Sequence, residues 1–160
     1  MPAIDPKPDQ TSIKKPATLH LATTFVDTNG LLKSAIQQLP AELRSEIVLR
    51  CDELALLQGS EEAIGTAFSQ LLQMIIDERE AGKKLFLHIT CAKQTEAMLT
   101  GGQRFLIRFH ANITLHASWM EEADRRINSI ASLLLPYGGS LLVNQLKNAG
   151  CVFCITLPGK

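Results

Sequence analysis

Four cysteines and four histidines are the residues of this sequence with the widest chemical range, and their spacing decides what they can do. Cys151-Val-Phe-Cys154 has the C-x-x-C interval used by dithiol redox centres and by half of a zinc site. The segment around it reads as a strand, where positions three apart face opposite ways, and neither a second ligand pair nor a helix N-terminus accompanies it. Cys51 and Cys91 stand apart, so the cysteines are read as reduced thiols, packed as small hydrophobes. His20, His88 and His110 fall in strand-like segments and His116 in a loop, which favours structural roles over phosphate acceptance. Glu121, Glu122 and Asp124 precede Arg125 and Arg126 at a helix start. Acids there suit the helix dipole, so this cluster reads as a solvated face rather than an acid–base pair. There is no G-x-S-x-G, Walker A, H-E-x-x-H or EF-hand signature.

The elements that must carry these residues fit one domain. The chain has 160 residues, 46% apolar and 20% charged, enough for one core but not for two domains. Sixteen basic residues balance sixteen acidic ones, which argues against nucleic acid and anionic membranes as partners. No apolar run approaches the ~20 residues that cross a bilayer, and the N-terminus lacks a signal-peptide core, so a soluble cytoplasmic protein is expected. Residues 1–16 hold four of the seven prolines and read as a flexible Pro-rich leader ahead of a single domain over 17–160.

Residues 17–26 read weakly as a strand. Asp27-Thr28-Asn29 offers caps for a helix that Pro40 closes, and Glu46–Cys51 reads as a short strand after a polar stretch over Ala41–Ser45. From Ser60, apolar pairs recur every four residues through Ile75-Ile76, predicting a strongly amphipathic helix that ends near Ala81-Gly82. Lys84–Thr90 and Arg104–His110 alternate as the strands of a hairpin with a long loop. A helix over about 120–135 stops at Pro136-Tyr-Gly-Gly, and strands over 140–144 and 151–157 flank a turn at Lys147–Gly150. The order predicts an α/β fold: a two-layer α/β sandwich whose mixed sheet is covered on one face by three helices.

This order and four local phrases resemble the ATP-binding catalytic domain of bacterial sensor histidine kinases, a Bergerat-fold ATPase. Phe25–Ile36 is similar to that domain's opening helix, and Ile47–Cys51 with Leu56–Ser60 to the strand and turn before its N-box helix. Phe68–Ile76 sits where the N-box lies. Leu135-Pro-Tyr-Gly-Gly-Ser-Leu-Leu-Val143 and Gly150–Pro158 resemble the last helix end, double glycine and closing hairpin. The resemblance spans roughly 25–158.

What the resemblance implies about chemistry is mostly loss. The N-box Asn that holds magnesium matches Met74, and a thioether is no ligand for a hard cation. Gln70, one turn earlier, can hydrogen-bond but cannot act as a base. The adenine-reading Asp-x-Gly-x-Gly motif is missing: Ala111 or Asn112 stands near the Asp position, and β-branched Ile113 replaces the first glycine. Only about ten residues, none of them Gly, separate His110 from the Met120 helix, which leaves no phosphate lid. No phosphoacceptor hairpin lies within the 17–160 domain.

The expected function is a non-catalytic, degenerate kinase-like domain serving as a protein-binding module in two-component signal transduction. Receiver domains or helical-hairpin phosphotransfer proteins are the partners that the resemblance implies, with the oligomeric state left open. Trp119 and Met120, where the lid would be, are candidate contacts; alternatively Trp119 fills the vacated pocket. No catalytic residue, metal site or cofactor is expected. ATP and magnesium enter only under the alternative of a divergent ATPase or histidine kinase. A further alternative is a small-molecule sensor whose pocket is relined by Met74, Ile113 and Trp119.

Overall fold

A computed structural model describes residues 25–51, 56–94, 103–115 and 120–159. The proline-rich leader, the start of the first expected strand, the Gly101-Gly102 loop, His20, His116 and Trp119 lie outside the described residues.

Seven strands form one mixed sheet: β1 (Phe25–Asp27), β2 (Ile47–Cys51), β3 (Leu56–Gln58), β4 (Leu87–Gln94), β5 (Gln103–Ala111), β6 (Ser140–Leu146) and β7 (Gly150–Gly159). Their order is β1-β3-β7-β5-β4-β2, with β6 also on β7. The pair β2/β4 is parallel and every other pair antiparallel. Among the described residues four helices accompany them: α1 (Thr28–Gln37), α2 (Ala41–Arg44), α3 (Glu61–Asp77) and α4 (Met120–Leu134). A 3-10 turn, Leu135–Tyr137, follows α4. The expected two-layer α/β sandwich with a mixed sheet is therefore found, with α2 and β3 as short additions that a polar pentapeptide and a turn had concealed.

The core lies between helices and sheet. The apolar stripe of α3 buries Ile64, Phe68, Leu71, Leu72, Met74 and Ile75 completely or nearly so, and Phe68 meets Phe109 of β5 with ring centroids 6.2 Å apart. Ser60 caps this helix through its hydroxyl, which accepts from the Ala63 N–H at 3.2 Å, while Asp27 caps α1 by accepting from the Asn29 N–H at 3.1 Å. Each cap contributes roughly 1 kcal/mol. The α3 helix stops at Asp77, earlier than the expected Ala81-Gly82, because the apolar stripe that holds it to the core ends at Ile76.

The expected strand at Lys84 begins only at Leu87. Lys84 and Phe86 are held instead by Asn112, whose amide accepts from the Phe86 N–H at 2.7 Å and donates to the Lys84 carbonyl at 2.9 Å.

The C-x-x-C pair divides as its strand spacing predicts: Cys151 is buried and Cys154 half-buried on the other side of β7. Burial pushes the Cys151 thiol from 9.0 up to about 11, partly offset by the Val152 backbone hydrogen bond. A raised folded-state value favours the protonated thiol, so its contribution to stability is full below pH 9 and is lost as pH climbs through about 11. Chemical denaturation at stepped pH should therefore show an alkaline decline over that window which Cys151→Ala flattens. A thiol reagent near neutral pH should label Cys154 well before Cys151.

Candidate functional site

Two adjacent helices, α3 and α4, frame a cleft beside the position to which the resemblance assigns a nucleotide site. Gln70 and Gln73 are exposed on α3, and they line a cleft of about 290 Å³ with Arg126, Ser129 and Ile130 of α4. Three side chains brace this cleft. The Gln73 amide donates to Asp77 Oδ1 at 2.8 Å, and the other Asp77 oxygen pairs with Arg126 Nη2 at 3.0 Å. Arg126 is 28% exposed and Asp77 44%, so the pair contributes only about 0.5 kcal/mol. Its larger effect is to tie α3 to α4 across the cleft.

That tie corrects half of the solvated-face reading of the α4 charges. Arg125 does form an exposed pair with Glu122, one turn away at 3.5 Å. Arg126 instead leaves its own helix for Asp77. No periodicity in the sequence joins residues forty-nine positions apart, so Asp77, Gln73 and Ser129 carried no signal.

Met74 and Ile113 do not line this cleft. Met74 has no exposed surface and Ile113 only 1%, and both belong to the continuous core. A pocket relined by these two residues is therefore not what the structure builds. Ala111, also 1% exposed, ends β5 facing the same core.

The stretch following β5 is held from several directions. Asn112 is turned toward the Lys84–Phe86 segment by the two bonds already described. Ile113 is anchored by burial. Gln145 of β6 accepts from the Leu115 N–H and donates to the Gly150 carbonyl, both at 2.9 Å. His110 Nε2 lies 2.7 Å from the Ala149 carbonyl. Thus the residues nearest the expected adenine-reading position are committed to joining β5, β6 and the entry to β4. Met120 opens α4; its neighbour Trp119 lies outside the described residues.

Among the described residues there is no cluster of three or more His, Cys, Asp or Glu side chains able to hold a metal ion. No described helix is long and apolar enough to cross a membrane.

Helices over one face of this strand order define the fold class: that of the histidine-kinase catalytic ATPase domain. The chain is similar to the mycobacterial sensor histidine kinase MprB at TM-score 0.66 and 14% identity, covering 86% of this chain and 97% of that one. It is similar to the catalytic domain of histidine kinase ThkA, in a nucleotide-free form, at TM-score 0.66 and 13% identity over 84% and 95% of the two chains. Full-length ShkA in complex with AMPPNP matches at TM-score 0.61 and 16% identity, over 85% of this chain and 31% of that one. At such identities the likeness establishes the fold. No family profile matches the chain, and no curated protein does either.

Proposed function

We propose that this chain is a degenerate histidine-kinase-like domain that has left ATP chemistry and works as a protein-binding regulatory module in signal transduction. The observation that carries the reading is Met74. At the position to which the resemblance assigns the magnesium-holding carboxamide stands a thioether with no exposed surface, packed in the core. A divalent cation bridging phosphates requires oxygen ligands, and this residue supplies none. The Asn112 amide is engaged with backbone at both ends, and Ile113 lacks the conformational freedom of the glycine it replaces. The residues present therefore do not fit a magnesium nucleotide held in the family's manner.

The partners that the resemblance offers are a receiver domain or a helical-hairpin phosphotransfer protein. A module of this kind would act by occupying or presenting such a partner, with no covalent step of its own.

A thermal-shift measurement with millimolar ATP and magnesium tests the loss of nucleotide binding. A ligand present at a hundred times its dissociation constant stabilises a fold by about 2.7 kcal/mol, or roughly 5–10 °C for a domain of this size. We expect no shift. A concentration-dependent rise that fits micromolar affinity would reverse the reading and reinstate a divergent ATPase or kinase.

A further inference from the structure

The face of the sheet turned away from the helices carries a charge pattern that the helix layer does not share. Among the described strands the sole carboxylate is Asp27, which is spent capping α1. The other charged or imidazole strand side chains are Arg50, His88, Arg104, Arg108 and His110 on the open face, with Lys93 opposite Phe105 on the core side at the end of β4. By contrast Glu61, Glu62, Asp77, Glu122 and Asp124 all sit on α3 and α4, and the described ion pairs lie in the helices and the turn after α3. The chain's overall neutrality thus conceals a division between the two layers.

Register places the open-face residues in rows. Arg50, Thr90, Arg108, Cys154 and Leu142 run side by side across β2, β4, β5, β7 and β6. Arg50 and Arg108 are exposed, and neither is ion-paired among the described residues. They stand two strand spacings apart, about 10 Å. Arg104, by contrast, is committed to the Gly138 carbonyl at 2.7 Å.

Two residues along the strands, about 7 Å away, the row Val48, His88, His110 borders a depression of about 310 Å³. Phe86, Asn112 and the rim carboxylate of Glu46 complete most of its wall. Three large apolar side chains are exposed on or beside this face: Val48 at 41%, Phe86 at 61% and Leu142 at 68%.

We propose that this face docks an acidic amphipathic helix of another protein, with an apolar side chain in the Val48–Phe86 depression and carboxylates on Arg50 and Arg108. The inference rests on the reading of the chain as a protein-binding module and names the surface and the partner's chemistry. Apolar and acidic side chains one helical turn apart match the spacing between depression and arginine row. A helix is also the layer that this face of the sheet lacks among the described residues. Exposed arginines with no ion-pair partner among the described residues supply steering toward an acidic surface. Nucleic acid fits less well, because two free arginines among exposed apolar side chains offer few of the phosphate contacts its affinity requires.

The test uses the full chain, with a fluorescein-labelled synthetic helix carrying Leu and Glu in a 3.6-residue pattern and a counterpart with Lys in place of Glu. Anisotropy should show binding of the acidic helix alone, weakened by added salt and by at least about tenfold in R50E/R108E. Both arginines are exposed, so the variant should melt like the parent. Amide chemical shifts should move at β2, β4 and β5 on the open face and not at the α3–α4 cleft.

Equal binding of both helices, no effect of R50E/R108E, no binding at all, or tighter binding of a single-stranded oligonucleotide would each overturn the proposal. Self-association in sedimentation that R50E/R108E removes would overturn it in favour of a second copy as occupant. Displacement of the helix by a peptide of residues 1–24 would overturn it in favour of this chain's own leader. Magnesium ATP titrated separately reports on the regulatory reading. Shifts at the cleft would defeat that reading while leaving the open-face result legible on its own.

Discussion

Replacing Met74 by Asn is expected to remove roughly 4 kcal/mol of stability and to restore no nucleotide binding. The substitution puts back the residue type that the resemblance assigns to this position. If the site were merely one residue short of function, it should help. The packing argues otherwise: Met74 is completely buried on the inner side of α3, in the same core as Phe68, Leu71 and Ile75. Truncating such a side chain costs about 2–5 kcal/mol, and an enclosed amide without partners adds about 1–3 kcal/mol. Against a typical total of about 5–15 kcal/mol, a large fraction of molecules would unfold under mild denaturant. Met74→Leu, which keeps volume and apolarity, should stay within about 1.5 kcal/mol of the parent. Urea midpoints for both variants, with and without magnesium ATP, decide the matter. Rescue of Met74→Asn by nucleotide would mean that the α3 side chain at 74 reaches the cleft after all.

The second large effect is expected at the turn between β6 and β7. Gly150 has φ of 87°, and a β-carbon there would run into the Ala111 carbonyl oxygen and lie 3.0 Å from its carbon and 3.1 Å from Asn112 Cα. These are backbone atoms of a paired strand, so no side chain can rotate out of the way. Gly150→Ala should cost the left-handed strain of about 1–2 kcal/mol. It should also loosen the end of the β5/β7 ladder and the two bonds of Gln145, which accepts from the Leu115 N–H and donates to the Gly150 carbonyl. A total of roughly 3 kcal/mol or more is expected. Gly82 provides the control, since its φ is 81° but nothing lies within 4 Å of a β-carbon there. Gly82→Ala should therefore show the backbone strain alone. Equal melting losses in the two variants would refute the steric part of the argument.

The sequence exposes the fold wherever burial has a period. The α3 stripe repeats over many residues, and β4, β5 and the second half of β7 alternate, so their types and approximate limits follow from pattern alone. Short elements leave too few residues to show a period, which is why α2 and β3 escape notice. The candidate site is legible in part. Met74 and Ile113 stand out because their chemistry conflicts with the role that the resemblance assigns them. The Asp77–Arg126 tie, the clamp by Asn112 and the reach of Gln145 are long-range polar contacts, and composition along the chain does not encode them. The layered charge division likewise appears only when strand register brings Arg50 and Arg108 onto one row.

The place of β7 in the sheet has a consequence in time. The segment over residues 150–159 joins β5, β6 and β3, and the antiparallel β1/β3 pair meets the rest of the sheet through the pairing of Leu57 with Gly159. Strands β4 and β5 lie close in sequence and can associate early, whereas that last junction spans about a hundred residues and closes a long loop. A chain emerging from the ribosome would hold the β1/β3 pair without its β7 neighbour until Gly159 had cleared the exit. During that interval the apolar underside of β3 would be open to chaperones.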